Sequence, residues 1–312
     1  MSRKRFFIMI VCVAVMLSVV SCDKSGDQSV NGSGTELRLS SGIEMQGRAA
    51  FTGADTQIPS GEEIIVYVDE TGGAPLYEKN VLTADGSGGM SGGVRMFFPE
   101  SGRNADIYAI HTNAVLASNA YPAAALTHTV HTDQRTLAGY AASDLLYART
   151  NNVAKTTTAV PMTFFHLLSK VQIAVKPGNG LTAAEITGIT IGGTQIQSVF
   201  TPDKATAPNA VGVTAAGSAA DITIGADITD DFVAARYNDA IIVPQTVAGN
   251  TAFIVVHLTT GDLNYRLPAD VTFTSGKRYI YQITANLAGL NLVSSIVDWT
   301  PINPVTGSAT LE

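Results

Sequence analysis

The sequence predicts an all-β protein built as two antiparallel β-sandwich domains. Three observations carry that prediction. Short runs rich in Val, Ile, Thr and Tyr recur along the chain, separated by Gly, Pro, Asn and Asp. No stretch carries the apolar period of an amphipathic helix of ordinary length. The 312 residues leave room, once a leader is set aside, for two domains that each bury a core. Many short strands without helical spacers favour antiparallel pairing over a parallel sheet.

The expected strands are Ile64–Val68, Asp106–Ile110, Val171–Val175, Ile186–Ile191, Ile241–Val243, Phe253–Leu258 and Tyr279–Leu287. The segment TAFIVVHLTT, followed by Gly261-Asp262 and LNYRLP, reads as a hairpin whose turn uses the positive φ that glycine allows. In the last strand Tyr279, Tyr281, Ile283, Ala285 and Leu287 share one face, opposite Arg278, Gln282, Thr284 and Asn286, as in a half-buried strand. The stretch Asn151 to Ala159 interrupts the apolar pattern and sets the domain boundary, giving domains over 49–158 and 159–312. The glycine-rich stretch Gly86 to Gly93 reads as a long turn inside the first domain.

Composition narrows the function. The chain is 46% hydrophobic and 14% charged with a formal net charge of -7, so it lacks the basic excess that binding a phosphate backbone requires, and nucleic acid is not an expected partner. Its two cysteines are Cys12 and Cys22. Arg3, Lys4 and Arg5 precede an apolar stretch from Phe6 to Val20, shorter than the ~20 residues of a membrane span, which reads as a signal peptide over 1–21. The sequence LSVVSC ending at Cys22 resembles the lipobox at which an exported lipoprotein is cut once its cysteine is lipidated. A polar tether over 22–35, DKSGDQSVNGSGT after Cys22, has the composition of a flexible linker. The expectation is therefore a protein held to a membrane by lipid on Cys22, each buried CH₂ contributing roughly 0.8 kcal/mol.

Motifs for chemistry return bland readings. Gly89-Met90-Ser91-Gly92-Gly93 matches G-x-S-x-G, but in a Gly/Ser loop rather than between a strand and a helix. His128 and His131 read as a surface loop without a third metal ligand. Asp230-Asp231 lacks the spacing of a calcium loop and reads as the start of a turn. His166, inside an apolar run with no carboxylate close in sequence, reads as a structural histidine. No catalytic residue, metal or cofactor is expected.

The segment ELRLSSGIEMQGR over 36–48 carries more. Leu37, Leu39, Ile43 and Met45 share parity, so an extended strand would turn all four to one face. Burying four such side chains is worth roughly 6 to 12 kcal/mol. A trypsin-like protease could cut between Arg48 and Ala49 directly after it. At the other end Val305, Gly307, Ala309 and Leu311 also share parity, with smaller side chains. Two readings stay open: an ordinary first strand, or a plug that leaves after proteolysis and is replaced by a neighbour's terminal strand.

The lipobox Cys22, the GRAAFTG region around Arg48, MTFFHLLSKVQIAV, VPQTVAGNTAFIVVHL and TSGKRYIYQITANLAGLNLVSSIVDW together resemble the fimbrillin superfamily of Bacteroidetes pilins. The resemblance implies two transthyretin-like β-sandwich domains, surface exposure at the cell outer membrane, and maturation by an arginine-specific protease. It further implies assembly with other fimbrial subunits by strand exchange, with Cys22 lipidated, the cut at Arg48-Ala49 and Leu37 to Met45 departing. Either terminus could donate the strand, the C-terminal segment being preferred. The alternatives are a tip adhesin, for which Tyr121 and Tyr140 are the candidate exposed aromatics, and a glycan-binding surface lipoprotein that does not polymerise.

Overall fold

The structure is a computed structural model that describes residues 34–44, 56–233, 235–298 and 308–310. In chain order the first part supplies β1 (Leu39–Ile43), β2 (Glu63–Glu70), β3 (Pro75–Ala84), β4 (Met90–Ser91), β5 (Ala105–His111), β6 (Leu126–Thr129), a single helical turn α1 (Leu137–Ala141), β7 (Leu146–Val153) and β8 (Val160–His166). There follow β9 (Ser169–Pro177), β10 (Ile186–Phe200), β11 (Val213–Ile224), β12 (Asn238–Ile242), β13 (Thr246–Val247), β14 (Ala252–Leu258) and β15 (Gly261–Arg266). The chain closes with β16 (Val271–Thr272), β17 (Lys277–Asn286), β18 (Gly289–Asp298) and β19 (Ser308–Thr310).

The expected all-β class holds, and every strand read from the sequence is present. Seven strands form one sheet in the order β1-β8-β7-β5-β2-β3-β4. Its neighbours are antiparallel apart from β1, which runs parallel to β8. A second sheet has the order β11-β10-β14-β15 and a third β12-β9-β17-β18-β19, while β13 and β16 make a short ribbon. Strand β10 is 15 residues long and is shared: its first half pairs with β14 and its last four residues pair with β6. Its register shifts between Ile191 and Thr194, where Gly193 takes a φ of 73° that a β-carbon would strain.

The central strands of the seven-stranded sheet explain the run IIVYV. In β2, Val66 and Val68 join a core with Ile107, Ala109, Leu146 and Ala148, while Ile65 and Tyr67 join a different core with Tyr108, Ile110 and Tyr147. Both faces are buried, so apolar residues occupy consecutive positions instead of alternating. The second core continues through the remaining sheets, including Ile189, Phe253, Tyr281 and Ile283.

Several local expectations are corrected. The β14–β15 hairpin turns at Thr259-Thr260, with Leu258 opposite Gly261 and His257 opposite Asp262, so Gly261-Asp262 opens the return strand. Glycine is still required, because Gly261 has a φ of 143°. Leu287 does not continue the inward face of β17; it lies beyond the strand end and is 63% exposed. Of the strands, β8 (Val160–His166) pairs with β7 and β1 in the first sheet. Conversely β6, from the first part of the chain, pairs with β10, and residues from Gly34 onward form one compact unit.

Candidate functional site

The most distinctive site is the slot that holds β1. Parity along this segment comes out as the sequence requires: Leu37, Leu39 and Ile43 are buried, with Arg38 exposed between them. All three belong to the core that contains Ile64, Val66, Leu82, Met96, Phe98, Met162 and Phe164. Area bookkeeping gives about 5 to 9 kcal/mol for three such side chains.

The main chain is held along both edges. Toward β8, Val160 N donates to Arg38 O at 2.8 Å and Glu44 N donates to Phe164 O at 2.9 Å. Toward the glycine-rich turn, Leu37 N donates to Met96 O at 2.8 Å, Ser41 N to Gly88 O at 2.8 Å and Phe98 N to Thr35 O at 3.0 Å. The segment is therefore seated between two neighbours, β8 on one side and the glycine-rich turn on the other. Without it, the backbone groups of Val160, Phe164, Gly88 and Met96 would lose their partners.

Beyond Glu44 the chain returns to the same place, since Ile43 N donates to Thr56 O at 3.2 Å. The expected lipidation residue Cys22, the plug residue Met45 and the cleavage pair Arg48 and Ala49 lie outside the described residues, as do Val305 and Leu311. Ala309 sits in β19, opposite Leu292 of β18, at the edge of the third sheet.

A second cluster gathers ionisable groups. His166 Nδ1 lies 2.8 Å from Asp144 Oδ2 with both side chains buried, so the structural histidine has a carboxylate partner that sequence distance concealed. Burial works against ionising Asp144, yet His166, through charge and hydrogen bond, and His111 and His128 beyond it hold the carboxyl below its ordinary range. His128 overturns the surface-loop expectation. It is wholly buried in β6, its Nδ1 3.0 Å from Thr112 Oγ1 and its Nε2 2.9 Å from Ser143 O. Those partners define a neutral ring with the proton on Nε2, and burial lowers its pKa to about 4. His131 is exposed. Ser143 hydroxyl donates to Gly139 O at 2.7 Å and accepts from His131 N at 3.0 Å, which caps the end of α1 rather than activating an oxygen.

The remaining motifs are settled by local geometry. Met90 and Ser91 form β4 against Ala84 and Thr83, so the G-x-S-x-G match sits in a turn with a strand pair and no following helix. Asp231 Oδ1 accepts from Val233 N at 2.8 Å, the expected turn. Tyr140 is buried, and Tyr121 is half-buried and packs edge-on against Tyr67 and Tyr108 at 5.1 and 5.4 Å, so the two do not form a joint exposed aromatic cluster. Among the described residues no helix is long and apolar enough to cross a membrane, and no group of three His, Cys, Asp or Glu could hold a metal ion.

A sequence profile described as fimbrillin-like matches residues 48–299 of the chain. The chain is 26% identical over 318 aligned residues to a candidate fimbrium subunit, Fim1C, of Bacteroides uniformis, with 96% of this chain and 97% of that protein covered. The crystal structure of a candidate cell adhesion protein from Bacteroides ovatus shares the fold at a TM-score of 0.64 and 15% identity, covering 87% of this chain and 100% of that one. Another from Bacteroides uniformis does so at a TM-score of 0.59 and 20% identity, covering 85% and 98%.

Proposed function

Because the chain belongs to the fimbrillin-like family, we propose that it is a structural subunit of a cell-surface fimbrium, exported as a lipoprotein and assembled by strand exchange after proteolysis. Lipid on Cys22 holds the precursor to the outer membrane, an arginine-specific protease cuts between Arg48 and Ala49, and the segment 36–48 leaves. A strand of another subunit then fills the vacated groove. The second reading, a surface protein that does not polymerise, differs in keeping the N-terminal strand in place.

The observation that carries this reading is the seating of the segment that contains β1, with Leu37, Leu39 and Ile43 in one core and main-chain hydrogen bonds on both sides. The profile match begins at residue 48 and ends at 299, leaving outside it the segment proposed to depart, apart from its last residue, and the segment proposed to donate. The likeness to the Bacteroides uniformis relative, a candidate fimbrium subunit, points the same way. As donor we favour the C-terminal segment carrying Val305, Ala309 and Leu311, whose described part pairs with β18 over only Ser308–Thr310. Its smaller side chains cannot outcompete Leu37, Leu39 and Ile43 while those remain attached to the same chain, so cleavage is the committing step.

The test is to treat protein lacking only residues 1–21 with an arginine-specific protease, read the new N-terminus and look for a ladder of oligomers. A start at Ala49 with a ladder that vanishes when residues 303–312 are deleted is the expected result. Clean cutting to a stable monomer, or resistance at Arg48, rules against polymerisation through this groove and favours the second reading.

A further inference from the structure

A cleft of about 530 Å³ opens where the loop between β10 and β11 meets the segment Tyr121 to Ala123. Its volume falls within the range of small-ligand sites. The walls include Tyr121, Pro122, Thr201, Asp203, Lys204 and Thr206.

Three anchors preform the site. Arg149 Nη1 donates to Lys204 O at 2.7 Å and to Thr206 O at 3.0 Å, fixing the loop against β7. Tyr147 hydroxyl donates to Asp203 O at 3.2 Å and lies 2.7 Å from the Tyr121 hydroxyl, so both walls share one post. Lys204 ammonium stands 4.9 Å from the Tyr108 ring and 4.7 Å from the Tyr121 ring, and it pairs with Asp69. A ligand entering this cleft need not order the loop first, which removes part of the usual cost of binding.

The chemistry selects a ligand class. Lys204 already has a carboxylate partner, so the cleft offers no spare positive charge to a phosphate or a sugar acid. Asp203 is exposed, and its carboxylate accepts from Ala205 N at 2.8 Å, from Thr206 Oγ1 at 2.6 Å and from the Thr206 backbone, which leaves a lone pair for a further donor. An ionised carboxylate at the mouth repels anions and accepts from neighbouring hydroxyls. The Thr201 hydroxyl can donate or accept, while Tyr121 and Pro122 offer C–H surface. Adjacent hydroxyls on an apolar ring face are the signature of a sugar.

We propose that this cleft binds one or two units of a neutral saccharide, with the Asp203 carboxylate accepting from adjacent sugar hydroxyls and Tyr121 and Pro122 supporting the ring. The site lies on the face of the seven-stranded sheet away from β1, because Tyr108 and Tyr147 belong to the other core. It therefore rests on no part of the strand-exchange reading and survives if that reading fails.

The test is nuclear magnetic resonance titration of the uncut, isotope-labelled protein with D-galactose, N-acetyl-D-glucosamine, D-mannose and lactose, with D-glucuronate as the anionic comparison. Saturable shifts of the amides at 121–123 and 203–206 with a neutral sugar, at millimolar affinity, are expected. Asp203→Asn should weaken that binding about tenfold, the loss of one charged hydrogen bond. Ala123→Trp, at an exposed lining position, should block it while leaving the loop's own hydrogen bonds intact. The absence of saturable shifts with any neutral probe, tighter binding of glucuronate, or binding indifferent to both substitutions overturns the proposal.

Discussion

The two faces of the seven-stranded sheet are closed in different ways. On one, Val66, Val68, Ile107, Ala109, Leu146 and Ala148 lie in the core that holds Leu37, Leu39 and Ile43. On the other, Tyr67, Tyr108 and Tyr147 face the rest of the chain, where directional bonds hold the seam: Tyr147 to Asp203 O, Arg149 to Lys204 O, Lys204 to Asp69. Burial pushes the Tyr67 and Tyr108 phenols up to about 12, so both stay neutral in the seam at physiological pH. An aliphatic face accepts any strand of matching parity and size, whereas a face of hydrogen bonds accepts one partner in one position. The strand exchange proposed above would use the aliphatic closure.

The largest effect expected from this contrast is in the plug itself. Replacing Leu39 and Ile43 together by Ala should destabilise the uncut protein by about 4 to 10 kcal/mol, since each buried Leu or Ile truncation costs roughly 2 to 5. Urea unfolding measures it. After cleavage and loss of the segment, the doubly substituted and unsubstituted proteins should unfold alike. A loss that persists in the cut form would show that β1 stays bound.

The buried histidine cluster, built from His128, Asp144 and His166, should instead answer to pH. Folded His128 titrates at about 4 against an ordinary 6.5. The unfolded chain therefore takes up a proton first as pH falls, so this contribution is complete above 6.5 and lost progressively toward 4. Its size is on the order of 3 kcal/mol. Asp144 acts in a lower window: its carboxyl is held below the ordinary 3.8, so its contribution is present above that value and lost as pH falls through the folded one. His128→Gln should flatten the dependence of the urea midpoint on pH between 7 and 4. An unchanged slope would put the acid sensitivity elsewhere.

Arg149→Ala removes the two bonds that tie the loop to β7 and should cost about 1 to 3 kcal/mol. Hydrogen exchange should show faster opening of the 203–206 amides with the amides of Leu37, Ser41 and Ile43 unaffected, because those belong to the other face. Coupled opening of both sets would break the contrast between the faces.

The sequence makes the faces unequally legible. Parity placed Leu37, Leu39 and Ile43 on one buried face, since they follow one another in one short segment and local alternation decides where they point. Strand positions came from β-branched runs for the same reason. The seam was hidden because its partners are far apart in the chain: Asp144 with His166, Lys204 with Asp69, Tyr147 with Asp203. His128 was misread as a loop residue because β6 is only four residues long and pairs with the end of β10, whose register no local pattern announces. The hairpin turn was misplaced because glycine was read as a turn residue, whereas Gly261 serves the first position of the returning strand.

The smallest expected effect sharpens the comparison from inside the plug. Gly42 lies between buried Ser41 and Ile43, opposite Thr163, with no positive φ, and a β-carbon there would meet nothing within 4 Å. Glycine inside a strand forfeits roughly 0.5 to 1 kcal/mol relative to Ala through the freedom it loses on folding. Gly42→Ala should therefore stabilise the uncut protein by about 0.5 kcal/mol and leave the cut form unchanged. After proteolysis it should slow departure of the strand, and with it the first steps of the oligomer ladder, by about twofold. Faster assembly would mean that the β-carbon disturbs the slot and that glycine is required for the strand to seat; an equal gain in cut and uncut forms would mean that the segment never leaves.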